Sequence, residues 1–158
     1  MHVLWDEQTR SLVKETREFV TEDVSSELLR QMDREEVRFA KDFIRAAARR
    51  RLLGLRFSEE YGGRGLPWTA EVAAIEEVGV LGTALGCNFV MPSIVGEALA
   101  TFGTEEQKSK YLTAIIKADL FCAEALTEPR GGSDFFGATC SAVKDGDSFV
   151  LQGRKRFV

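Results

Sequence analysis

Leu126-Thr127-Glu128-Pro129-Arg130-Gly131-Gly132-Ser133-Asp134 sets two adjacent glycines and a hydroxyl directly after a short apolar, strand-like run, FCAEAL. Neither glycine carries a Cβ, so the main chain can enter positive-φ conformations there and gather successive amides into one concavity, with Ser133 adding a hydroxyl donor. A phosphate or pyrophosphate fits such a cradle. Composition alone favours a Pro/Gly/Ser/Asp surface loop that simply reverses the chain.

Downstream, ATCSAVK and SFVLQ alternate as strands and are joined through Asp145-Gly146, a dipeptide suited to a tight hairpin turn. GRKRFV, residues 153–158, reads as a further strand of an unfinished sheet. Two or three strands with a bare edge are marginal alone, so a truncated β-unit is expected.

Upstream, the pattern is helical. Leu12, Val13, Phe19 and Val20 mark an amphipathic helix from Asp6 to about Asp23, and a shorter one holds Leu28, Leu29 and Met32. A third is expected from Lys41 to Leu53, burying Phe43, Ile44, Ala47, Ala48 and Leu52 before Gly54 stops it. After the turn-rich YGGRGLP, Thr69 reads as the N-cap of a helix carrying Val72, Ala73, Ile75 and Val78. Gly79, Gly82 and Gly86 follow no strand and do not match G-x-G-x-x-G, so they read as close packing or a break. A helix from about Cys87 or Asn88 to Thr101 ends at Gly103. Thr104 with Gln107 then forms a capping box for a helix that buries Tyr111, Leu112, Ile115 and Ile116. The expected organisation is an all-helical domain over 1–119 and the beginning of a β-domain over 120–158.

At 158 residues, 44% hydrophobic, 29% charged and with a net charge of −4, the chain reads as a globular protein with no membrane span. Its mild acidity argues against a nucleic-acid partner. The basic cluster of Arg45, Arg49, Arg50 and Arg51 lies off the apolar helix face and reads as solvated surface. Cys87, Cys122 and Cys140 are odd in number, widely spaced and without a Cys-x-x-Cys pair. Buried free thiols in a reducing, cytoplasmic compartment are expected, and MHVLWDEQTR lacks the apolar core of a signal peptide.

No catalytic triad or metal site is legible, because the sole histidine is His2 at the terminus. Glu59–Glu60, Glu76–Glu77 and Glu105–Glu106 are adjacent pairs, and helix neighbours do not share a face. Glu128 is expected to play a local backbone or salt-bridge role in place of general acid–base work. Cys87, Val90, Met91 and Ile94 fall at i, i+3, i+4 and i+7, one apolar stripe that is ordinarily core.

The Leu126–Asp134 run resembles the flavin-binding signature of the acyl-CoA dehydrogenase family, A-L-T-E-P-G-A-G-S-D. YGGRGL (residues 61–66), FGTEEQKSKYL (102–112) and DGDSFVLQGRKRFV (145–158) resemble further landmarks of that family in the same order. The resemblance implies a mainly α fold: an N-terminal helical bundle followed by the first strands of a β-barrel-like middle domain, in a segment less than half of a family member. It implies FAD as cofactor, with the backbone of Ala125, Leu126 and Thr127 and the Thr127 hydroxyl at the flavin pyrimidine edge. Gly131, Gly132 and Ser133 would lie by the pyrophosphate and Phe157 beside the ring.

The same resemblance gives Ser133 a place in substrate binding and assigns the Cys87–Val90–Met91–Ile94 stripe to the fatty acyl tail. It implies α,β-dehydrogenation of an acyl-CoA, with electrons passed to electron-transfer flavoprotein or another acceptor, in a homotetramer. The carboxylate base is expected beyond Val158, so this segment alone would lack general-base catalysis worth about 10²–10⁴-fold. Flavin oxidases and monooxygenases share the fold, and a non-catalytic scaffold subunit is the alternative from another class. Two departures bear on that choice: Arg130 stands where a small residue is usual, and Glu124 where an aromatic one is common.

Overall fold

The computed structural model describes residues 5–158, in two compact units, Met1–Cys122 and Ala123–Val158. His2 lies outside the described residues.

The first unit is helical. Its opening helix, α1 (Glu7–Glu22), is capped by Asp6, whose carboxylate accepts the Thr9 amide at 2.7 Å. Leu12 and Phe19 are fully buried, and the intervening Thr16 joins them because its hydroxyl donates to the Leu12 carbonyl at 2.8 Å. α2 (Ser26–Asp33) lays Leu28, Leu29 and Met32 half-buried against the same core. α3 (Lys41–Arg49) buries Phe43, Ile44, Ala46 and Ala47, with the Phe43 ring 5.5 Å from that of Phe19.

The expected span of α3 is corrected at its C-terminal end. Arg51 takes φ +55 and breaks the helix, so Leu52 and Leu53 are buried from a loop instead of a last helical turn. Gly54 holds its positive φ under Ile116, where a Cβ would meet Ile116 Cγ1 at 2.6 Å.

α4 (Trp68–Gly79) begins after Pro67, not at an N-cap Thr69; the fixed φ of proline sets the entry and no side chain caps the helix. Its buried face is built from Ala70, Ala73, Ala74 and Val78, small enough for α1 to lie close against it. Arg17 grips Glu77 through two bonds of 2.9 and 2.7 Å across that pair.

α5 (Thr83–Phe102) starts four residues earlier than expected. Gly82, at φ +97, makes the turn, whereas Gly86 continues the helix, and so does Pro92. By length and composition α5 could cross a membrane, but here Leu85, Phe89, Pro92, Ser93 and Gly96 form a buried face.

The Thr104–Gln107 capping box is present in both of its bonds and opens a continuous run of α6 (Glu105–Gln107), a π-helical stretch (Lys108–Leu112) and α7 (Thr113–Ile116). Leu112, Ile115 and Ile116 are buried, but Tyr111 faces solvent. The wider π turn displaces the side chains that follow it.

The second unit is stitched from turns and one hairpin. FCAEAL forms no strand. β1 (Ser141–Asp145) pairs antiparallel with β2 (Ser148–Gln152), with Ala142 opposite Leu151 and Asp145 opposite Ser148. The loop residues are therefore Gly146 and Asp147, one position later than expected. Gly146 at φ +58 occupies the first central site, as in a type II′ turn. Residues 153–158 are not a strand, although the Arg156 amide bonds the Thr127 carbonyl at 2.8 Å.

The three thiols are free, but none is buried: Cys87 is exposed, and Cys122 and Cys140 are half-buried. The arginine cluster is solvated as expected, with Arg50 bridging Glu22 and Asp23 at 3.0 and 2.6 Å.

Candidate functional site: the Leu126–Ser133 turn

The sequence Glu128-Pro129-Arg130-Gly131 closes on itself. Glu128 and Gly131 exchange both backbone bonds, at 3.2 and 3.0 Å, and Pro129 and Arg130 form the two-residue tip. Proline suits this place because its φ is already set for a turn and it has no amide to satisfy. The consequence corrects one expectation: the Gly131 amide is taken by the Glu128 carbonyl and does not belong to the cradle. Gly131 serves the turn through its φ of +155.

The amides of Gly132 and Ser133 bond no acceptor among the described residues, and the hydroxyls of Ser133 and Thr127 are equally free. Gly132 lies against Thr127, where an added Cβ would come 2.9 Å from the Thr127 Oγ1. A concavity open to solvent beside the turn is walled by Leu126, Glu128, Gly131, Gly132, Asp134 and Lys155 among others, but not by Thr127 or Ser133. Two free amides, two free hydroxyls and a close approach of the Gly132 backbone to Thr127 are the kind of donor set that an anionic diphosphate would need. Leu126 and Ala125 are exposed and Thr127 is half-buried. Phe157 follows the residue bonded to Thr127; it is 90% exposed at φ +58, so its ring is presented outward.

Glu128 organises the turn. It is 4% exposed and accepts the Thr139 amide and hydroxyl, both at 2.7 Å, the Cys140 amide at 3.0 Å and the Lys155 ammonium at 3.0 Å. These donors, the Thr139 amide foremost, hold its carboxyl well below the usual carboxylate range. The same carboxylate pushes the Cys140 thiol up. An ionised acceptor surrounded by donors is a poor proton shuttle, which agrees with the local role read for Glu128. Its partners Thr139, Cys140 and Lys155 escaped the sequence reading. Lys155 stands 27 positions away, and no spacing rule connects the two.

Arg130 pairs with Asp134 at the tip, and Asp134 also accepts the Gly137 amide at 2.9 Å. Glu124 is exposed.

In the helical unit, Val90 and Met91 are half-buried, and Cys87 and Ile94 are exposed. The stripe is thus not core; Leu85, Phe89 and Ser93 fill that role on the opposite side of α5. Beside it lies an ionic cluster that the sequence did not disclose. Arg56 is flanked by the Trp68 ring at 3.8 Å and the Phe57 ring at 4.7 Å, and donates to Glu71 at 2.7 Å and to Glu97. Ser93 donates to Glu71 at 3.0 Å, and burial raises the Glu71 carboxyl above its ordinary value despite these partners.

The chain therefore comprises a helical unit and a turn-and-hairpin unit that carries the free amides of Gly132 and Ser133. Residues 6–119 match the family model for the acyl-CoA dehydrogenase N-terminal domain. Over 99% of its length the chain is 31% identical to 3-(aryl)acrylate reductase of Clostridium sporogenes, covering 41% of that protein. Over 98% it is 32% identical to the caffeyl-CoA reductase–Etf complex subunit CarC of Acetobacterium woodii, again covering 41%. A solved acyl-CoA dehydrogenase complexed with FAD, from Bacillus anthracis, matches with a TM-score of 0.82 at 28% identity, over 96% of this chain and 26% of that one. The chain belongs to the acyl-CoA dehydrogenase family, and it spans about two fifths of the length of these curated relatives.

Proposed function

We propose that this chain supplies the helical domain and part of the FAD site of an acyl-CoA dehydrogenase that introduces an α,β double bond into an acyl-CoA thioester. The observation that carries the reading is the pair of free amides at Gly132 and Ser133, set beside the free hydroxyl of Thr127 in a turn whose own bonds are otherwise closed. Bound there, FAD supplies the hydride acceptor for the substrate β-carbon.

The residues of this chain bind and orient. Gly132 and Ser133 receive the diphosphate, the backbone of Ala125–Thr127 and the Thr127 hydroxyl hold the pyrimidine edge, and Phe157 packs beside the ring. Ser133 also faces the substrate. On α5, Cys87, Val90, Met91 and Ile94 offer an apolar wall for the acyl tail, supported by their lying off the buried face. The proton acceptor for the α-carbon is assigned to the remainder of the intact protein, because Glu128 is held ionised by its donors and Glu124 lies at the surface. Electrons leave to an electron-transfer flavoprotein or another acceptor; a relative named as a subunit of an Etf complex supports that partner.

A second reading is the same site run toward reduction of an enoyl group, favoured by the two reductases matched along nearly the whole chain. Anaerobic mixing of the purified intact protein with acyl-CoA tests the choice. Bleaching of the flavin band by a saturated acyl-CoA is the expected result. Bleaching absent with acyl-CoA, but reoxidation of the reduced protein by an enoyl-CoA, would favour the reductase.

A further inference from the structure

We propose that Glu128 and Lys155 form a positioning clamp that sets the Leu126–Ser133 turn in its anion-receiving shape, so that FAD affinity is governed by a pair that acts through the shape of the turn.

The inference rests on the flavin reading for its cargo, but its geometry is independent of it. One carboxylate joins three stretches distant in sequence: the turn that carries it, the Thr139–Cys140 backbone and Lys155. Lys155 adds a second tie, from the same ammonium to the Leu126 carbonyl at 3.2 Å. Leu126 and Glu128 are thereby fixed on both sides of Thr127, whose own carbonyl is fixed by the Arg156 amide. The hydroxyl of Thr127 and the backbone of Gly132, which lies against that side chain, inherit that placement.

Only a carboxylate satisfies this set. Four bonds arrive at two oxygens, one of them receiving the Thr139 amide and hydroxyl and the other the Cys140 amide and Lys155. Glu128→Gln keeps the shape but turns an NH2 toward donors, leaving at least one of them, the Thr139 or the Cys140 amide, facing a group that cannot accept. Lys155→Met removes the ammonium and leaves the Thr139 and Cys140 bonds intact, so it loosens the clamp from its other end while the turn keeps its partners.

The intact protein is stripped of flavin and titrated with FAD and, separately, riboflavin, which lacks the diphosphate. Glu128→Gln is expected to raise the FAD dissociation constant by about tenfold or more, as for loss of charged hydrogen bonds, and that of riboflavin, which meets only the Ala125–Thr127 side of the turn, by a several-fold smaller factor. Lys155→Met should change both in the same sense by a smaller factor. In the flavin-free protein, the Gly131 amide, bonded within the turn, should exchange its hydrogen faster in both variants.

FAD affinity within about twofold of wild type in both variants, or equal losses for FAD and riboflavin, would overturn the clamp. A wild-type protein that binds riboflavin and FAD equally would overturn the diphosphate reading instead. The exchange of Gly131 then decides the clamp by itself: unaltered exchange in both variants rejects it.

Discussion

Gly132 is where a single hydrogen atom in place of a methyl group decides the site. With a methyl 2.9 Å from the Thr127 Oγ1, Gly132→Ala forces the hydroxyl or the turn to move. The variant is expected to fold and to lose about tenfold in FAD affinity, read from flavin absorbance at equilibrium; wild-type affinity would detach Gly132 from the cradle. Glu128 adds a pH dependence whose sign is fixed. Its folded-state carboxyl lies below the ordinary 4.5, so the unfolded turn binds the proton first as acid is added. The stabilisation is complete above that ordinary value and is lost as pH falls from it toward the lowered one. The Gly131 amide resonance should therefore move in acid in the wild type and stay flat in Glu128→Gln. The sequence disclosed the glycines and the hydroxyl because their chemistry is local. It did not disclose that Gly131 closes the turn while Gly132 stays open, since that depends on which carbonyl comes within reach.

Helices carry their own tests. Gly96 on α5 faces Phe57, and a Cβ there would lie 2.6 Å from the ring and 3.1 Å from Leu112. Gly96→Ala gains about 1 kcal/mol of helix propensity but overpacks a buried contact at about 1–3 kcal/mol, so a net loss of stability is expected in urea denaturation. Arg56 ties α4 to α5 with a side chain that is 9% exposed. Arg56→Met strands the buried Glu71 and should cost about 3–5 kcal/mol, whereas adding Glu71→Leu should recover most of it. The outer stripe of α5 is tested by Val90→Phe, which should shorten the acyl chains accepted; an unchanged chain-length preference would reject the pocket role. Periodicity located α1, α2 and the capping box at Thr104 because apolar spacing and cap chemistry act within a few residues. It misplaced the start of α5 and the end of α3. Gly86 and Pro92 look like breakers in isolation, yet continue the helix when its face packs, and Arg51 accepts a left-handed conformation that sequence would reserve for glycine.

At the scale of the molecule, a helical unit and a turn-and-hairpin unit each keep the landmarks of the family in order, and the family model covers residues 6–119. The hairpin was legible because its turn at Gly146 and its β-prone residues act locally, although both strands are exposed along their whole length; the final six residues, read as another strand, do not form one. A strand needs a partner to accept its bonds, and here only the Arg156 amide finds one. The account stands on the direction in which the Gly132 and Ser133 amides point. Amide hydrogen exchange of the intact protein, measured residue by residue with and without FAD, reads this directly. Strong protection of both amides on adding FAD is predicted; FAD bound with both still exchanging freely would contradict it.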